Sequence, residues 1–174
     1  IDITESTGAV VPLVAPQAPR RRSIKEPVLV MGGVNWPWQD STEALERTVR
    51  FLKKKGRGRV VVYGGRPVLG DMKVPSLQQR VPASAHLQYV DAIPWKDLLK
   101  AYAGATAALD VMADNPEREL ALSFRHVDYI GCGLPLITST NHALAPELAK
   151  AQAGWLVEPA DNKGIEAALS QLFD

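Results

Sequence analysis

From Pro27 to the end of the 174-residue chain, short apolar runs rich in β-branched residues alternate with longer stretches of helical periodicity, which constrains the fold more than any other feature. VLVM (28–31) and RVVVYG (59–64) are continuous apolar runs of the kind buried on both faces of a parallel sheet. Between them, DSTEALERTVRFLKKKG brings Ala44, Leu45, Val49 and Leu52 to near-helical spacing, with Asp40 or Ser41 as N-cap and Gly56 as terminator. HLQYV (86–90), TAALDVM (106–112), PLITS (135–139) and GWLVE (154–158) supply four more strands. Further helices are expected after Trp95 (carrying Leu98, Leu99 and Tyr102), from Ser123, over 145–152 and in GIEAALSQLF. Right-handed crossovers then predict an α/β, Rossmann-like open parallel sheet of about six strands with helices on both faces.

Composition agrees with one globular domain: 46% of residues are hydrophobic and 22% charged, neither a disordered nor a membrane-embedded profile. The 20 basic and 19 acidic residues leave a net charge of +1, so no global field points to nucleic acid. The single cysteine, Cys132, cannot form an internal disulfide, and no Cys/His cluster has metal-ligand spacing, so a reducing cytoplasm and no metal site are expected. Residues 1–26, with VVPLVAPQAPRRR, are expected to be an extended interdomain linker ahead of a domain over 27–174, and the start at Ile1 suggests an excised part of a longer protein. Residues 66–85 are too proline-rich to form one regular element.

In such sheets ligands bind at the carboxyl ends of the strands, which directs attention to the loops 32–41, 64–75, 90–96, 113–124 and 139–145. In GGVNWPWQD (32–40), Gly32 and Gly33 let backbone approach a ligand, and the following helix offers unpaired N–H groups to an anion, although GxGxxG is absent. Trp36 and Trp38, held apart by a proline, either stack on a base or sugar or plug the end of the sheet. Gly64 and Gly65 follow the second strand, a weaker signal because the chain must turn there anyway.

DNPERELALSFRHVDYIGCGLP holds two helix starts: Asn115 as cap with Pro116 behind it, and Ser123, which the reading favours, with 113–122 partly loop. Phasing from Ser123 turns Phe124, Val127 and Ile130 or Gly131 inward and puts Arg125 and Asp128 together on another side. Ser123 and Arg125 at a helix N-terminus suit a phosphate, and Asp128, one turn further, suits ribose hydroxyls; a surface Arg–Asp pair is the competing reading. His126 is either an acid–base group or simply packed. Glu117 and Glu119 are the carboxylates placed for general-base work, or dipole neighbours of a helix start.

The order of these motifs (Gly-Gly with a Trp/Asp loop, strand-Gly-Gly, a helix ending in DYIGCGLP before an apolar strand, then AGWLVEPAD) resembles the C-terminal half of a GT-B glycosyltransferase of the family-4, or group 1, type. The resemblance runs from about Val28 to Phe173, and VVPLVAP resembles the linker between the two halves. It implies a donor-binding domain facing a missing N-terminal acceptor-binding domain, with a UDP-, GDP- or other nucleoside-diphosphate sugar as donor substrate, no cofactor and no metal. It implies also that the fragment alone is inactive, and that any peripheral membrane contact belongs to the missing half.

In that family an acidic residue on the signature helix contacts ribose, and Asp128 stands there; the family's earlier glutamate falls on Leu120, with Glu117 and Glu119 nearest. The Arg and Lys that many members place after the first strand are missing from GGVNWPWQDSTE, and Arg125 is expected to supply the charge instead. A sugar-nucleotide epimerase of the same fold and a non-catalytic nucleotide-binding module are the alternatives.

Overall fold

The computed structural model of the chain describes residues 25–34, 36, 38–64, 76–159 and 161–174. Most of the expected linker, Gly65 and much of the proline-rich segment lie outside the described residues. The elements run β1 (Val28–Gly32), α1 (Thr42–Lys55), β2 (Arg59–Tyr63), α2 (Leu77–Arg80), β3 (Leu87–Val90), α3 (Trp95–Ala103), β4 (Ala107–Asp110), α4 (Pro116–Leu120), α5 (Phe124–Gly131), β5 (Leu136–Ser139), α6 (Ala145–Ala151), β6 (Gly154–Val157) and α7 (Asn162–Phe173). Among the described residues the six strands form one sheet in the order β3-β2-β1-β4-β5-β6, every pairing parallel.

Strand periodicity divides the core into two layers. Leu29, Met31, Val60, Val62, Leu109 and Ile137 face α1 and α7, where Leu45, Leu52, Leu169 and Phe173 cover them. Val30, Ala108 and Leu136 point the other way, against Tyr102 of α3, Tyr129 of α5 and Leu148 of α6. The apolar runs are continuous because both faces are covered.

Helix boundaries follow local chemistry. Ser41 occupies the N-cap position of α1, but its hydroxyl makes no cap bond; Asp40 Oδ1 accepts instead from the Thr42 N–H at 2.9 Å and the Thr42 hydroxyl at 2.6 Å. Gly56 ends α1 in the left-handed region, φ 66°. Both helix starts of the 113–124 region are used: Asn115 Oδ1 accepts from Arg118 N at 3.1 Å to cap the short α4, and α5 begins after Ser123.

The expected phasing of α5 needs correction. Phe124 is 82% exposed and Val127 and Ile130 are half-buried, whereas His126 and Tyr129 are completely buried. The reason is that β4 ends in a charged residue, Asp110, beneath the first turns of this helix. The face turned inward is the one that can hydrogen-bond that carboxylate, not the most apolar one.

Candidate functional site

The winding of the sheet reverses between β1 and β4, and a cleft of about 430 Å³ opens at their carboxyl ends. Four segments build it. The loop after β1 contributes Gly33, Val34, Trp36 and Gln39; α3 contributes Leu98 and Tyr102; α4 contributes Glu117 and Arg118; the start of α5 contributes Ser123, Phe124, Arg125 and Asp128.

The two glycines at the end of β1 have different duties. The Gly32 N–H donates to the Tyr129 hydroxyl at 2.8 Å, and a Cβ on this residue would stand 1.6 Å from the Tyr102 hydroxyl. Gly32 is thus where two buried tyrosines meet the backbone, and it does not line the cleft. Gly33, at φ 93°, does line it, with the Arg125 guanidinium 3.6–3.8 Å from where a Cβ would be. Gly64 sits where a Cβ would lie 2.8 Å from the Gly33 carbonyl oxygen, so it permits the two loops to approach and is not itself in the cleft.

The tryptophans are not held apart as expected. Their rings stack, with centroids 5.3 Å apart and planes 12° from parallel, because a turn closed by Gln39 N–H to the Trp36 carbonyl at 2.9 Å folds the loop back on itself. The Trp38 indole N–H donates to Glu117, which also accepts from Gln39 Nε2 at 3.3 Å. Glu117 therefore anchors the tryptophan loop to α4 at the cleft wall, while Glu119 is exposed and outside the lining.

Beneath the cleft lies Asp110, completely buried. Arg118 Nη2 donates to its Oδ2 at 3.0 Å and to its backbone carbonyl at 3.4 Å; Arg125 Nη1 donates to Oδ1 at 3.3 Å; His126 Nε2 also meets Oδ2. Burial by itself would raise this carboxyl's pKa, but the Arg125 charge, the His126 hydrogen bond and charge, and Arg118 reverse the sign and hold it well below the usual carboxylate range. Burial likewise works against the Arg125 charge, yet Asp110 keeps its pKa above the ordinary value. At the cleft floor two guanidiniums share one buried carboxylate, while two further carboxylates, Glu117 and Asp128, stand at the wall and the mouth.

Arg125 does not pair with Asp128. Its Nη2 reaches across to the Val34 carbonyl at 3.1 Å and Gln39 Oε1 at 3.0 Å, joining α5 to the loop after β1. Asp128 lines the cleft and accepts from the Trp95 indole at 3.4 Å, at the mouth. The Ser123 hydroxyl lines the cleft too and makes no cap bond. At the start of α5 the His126 N–H donates to the Ser123 carbonyl at 3.0 Å, and helix geometry leaves those of Phe124 and Arg125 without intrahelical partners. His126 is packed, its Nε2 on Asp110, and Cys132 is a half-buried free thiol whose Sγ lies 3.6 Å from the Leu99 carbonyl oxygen.

Asp110 and Arg118 are site residues that the sequence reading missed. The available signal was an aspartate inside the otherwise apolar run TAALDVM, since a charge in a buried strand requires partners nearby.

Behind Asp110 the network continues through Thr138, whose hydroxyl lies 3.2 Å from the Asp110 carbonyl oxygen and 3.3 Å from Nε2 of both His126 and His142. Leu144 N–H donates to His142 Nδ1 at 3.2 Å, which places the proton of this ring on Nε2. Burial, together with the charges of His126 and Arg118, lowers the His142 pKa from 6.5 to about 4. The unfolded chain therefore binds a proton at this side chain that the folded chain refuses between those values. The stabilisation is complete above pH 6.5 and is lost as pH falls toward 4. Thermal denaturation across that window is expected to show a falling midpoint, and His142→Gln is expected to reduce the slope; an unchanged slope would contradict the assignment.

Among the described residues, no group of three or more His, Cys, Asp or Glu is placed to hold a metal ion. Nor is any described helix long and apolar enough to cross a membrane.

A doubly wound parallel sheet with a polar cleft at its switch point defines an α/β domain of the Rossmann-like type. The family model for group 1 glycosyl transferases matches residues 25–174, and the chain belongs to that family. No curated protein matches the chain.

Among solved structures, it is similar to an α,α-trehalose-phosphate synthase (UDP-forming) from Burkholderia xenovorans in complex with glucose-6-phosphate. The TM-score is 0.65 at 13% identity, covering 87% of this chain and 36% of that one. A trehalose-6-phosphate protein from E. coli bound with UDP-2-fluoro glucose gives a TM-score of 0.64 at 15% identity, covering 86% and 37%. The C-terminal domain of a group 1 family glycosyl transferase from Francisella tularensis gives 0.63 at 18% identity, covering 85% and 75%. These likenesses show a Rossmann-like fold that matches GT-B glycosyltransferase structures, and the chain spans little more than a third of the length of the Burkholderia xenovorans and E. coli chains.

Proposed function

We propose that this chain is the donor-binding domain of a glycosyltransferase that moves a sugar from a nucleoside diphosphate to an acceptor held by a second domain. The observation that carries the reading is the pair of guanidiniums, Arg118 and Arg125, held on one buried carboxylate at the cleft floor beside the start of α5. The Arg125 guanidinium, the free Ser123 hydroxyl and the first N–H groups of the helix converge where a diphosphate would lie. Asp128, one turn further along α5, accepts from ribose hydroxyls, and Trp36, with the Trp38 ring stacked on it, gives the cleft an apolar wall. The E. coli structure, bound with UDP-2-fluoro glucose, supports a nucleotide sugar as the ligand class.

Charge builds on the departing diphosphate as its bond to the anomeric carbon breaks. Arg125 and the helix N-terminus stabilise that charge without a metal ion. The sugar acceptor and any base acting on it belong to the second domain, so the 174 residues alone bind donor weakly and do not turn over. Calorimetric titration of the chain with UDP, GDP and ADP tests the reading. One of the three is expected to bind; binding of none, with the fold intact by circular dichroism, would contradict it.

A further inference from the structure

We infer that Arg118 is a second anion-binding residue of the cleft, and that Asp110 is the positioning residue that aims Arg118 and Arg125 as one paired fork; this rests on the donor site proposed above. The two arginines come from different helices, α4 and α5, and converge on one carboxylate. Both Asp110 oxygens are engaged, Oδ1 by Arg125 and Oδ2 by Arg118 and His126, so neither guanidinium turns without breaking a buried bond. Asp110 is fully buried and touches no ligand; its effect is exerted through the arginines.

The Arg118 side chain is only 5% exposed, yet it lines the cleft. Its buried Nε has no partner among the described residues. A guanidinium N–H buried without an acceptor is costly, and a ligand oxygen that reached it would remove that cost. A diphosphate offers two phosphoryl groups, each able to accept from a guanidinium, and two arginines aimed by one buried carboxylate match it better than a lone arginine would. The loop after β1, with no Arg or Lys over 32–43, supplies no cation of its own, so the charge enters from α4 and α5.

The test is calorimetric titration of the wild-type chain and Arg118→Gln with inorganic pyrophosphate, with UDP, GDP and ADP, and with the parent nucleosides. Asp110 keeps Arg125 and His126 in Arg118→Gln, and near-UV circular dichroism checks that the fold is retained. Diphosphate affinity is expected to fall about tenfold or more while nucleoside affinity stays unchanged; unchanged diphosphate affinity overturns the role of Arg118.

Asp110→Asn separates aiming from charge screening. Aiming predicts weaker diphosphate binding, whereas screening alone predicts tighter binding because a negative charge has been removed. Should that variant not fold, Arg118→Lys asks the same question: aiming predicts a loss like that of Arg118→Gln, and rescue by lysine overturns it. Pyrophosphate bound through Arg118 with no nucleotide bound would overturn the donor reading and leave this inference standing. A nucleotide bound with Arg118→Gln indifferent would do the reverse, and a wild-type chain that takes neither overturns both.

Discussion

Replacing Asp110 by asparagine is expected to destabilise the folded chain by about 3–5 kcal/mol, the range found when one partner of a buried ion pair is removed. The carboxylate is completely buried and answers two guanidiniums and an imidazole. An asparagine of similar shape returns one acceptor and adds an NH₂ that faces donors, so two buried cations lose their counter-charge at once. Urea denaturation of both proteins measures the effect, and a difference below about 1 kcal/mol would contradict it.

The same substitution has a pH signature. Because the folded pKa of Asp110 is depressed, its stabilisation is complete above the unfolded aspartate value of about 3.9 and is lost as pH falls below it. Asp110→Asn should therefore flatten the acid limb of the stability curve below about pH 4 and leave the window between 6.5 and 4, which belongs to His142, in place.

Arg125→Gln is expected to reduce nucleoside diphosphate affinity by about tenfold to a hundredfold, the loss associated with one or two hydrogen bonds to a charged group. Arg125 stands at the start of α5, and its Nη2 already holds the loop after β1 through Val34 and Gln39, so the substitution removes a ligand contact and loosens the opposite wall. Asp110 retains Arg118 and His126, which should preserve the fold. Titration of wild type and variant with the same nucleotide decides it, and equal affinities would remove Arg125 from the site.

Much of the architecture is legible in the chain because a sheet covered on both faces writes itself as continuous apolar runs. All six expected strands appear, and α1, α4 and α5 begin directly after the expected Ser41, Asn115 and Ser123. The site is less legible, for a physical reason. Its floor is a buried polar cluster assembled from β4, α4, α5 and β5, and hydrophobic periodicity is blind to a helix whose inward face is selected by a carboxylate. Phe124 was the natural choice for burial and is exposed; His126, which gained no role from spacing, is the fully buried donor to Asp110. The tryptophan stack depends on a turn and on Glu117 from a distant helix, neither of which leaves a local trace. Ser123, Arg125 and Asp128 are legible as a group because they share one short helix start, which lines the cleft.

The most direct measurement is a crystal structure of the chain with the nucleoside diphosphate that titration selects. The diphosphate is expected at the head of α5, within hydrogen-bond reach of Arg125 and Ser123, with the ribose hydroxyls on Asp128. A nucleotide bound elsewhere, or one in this cleft with its diphosphate turned away from Arg125, would contradict it.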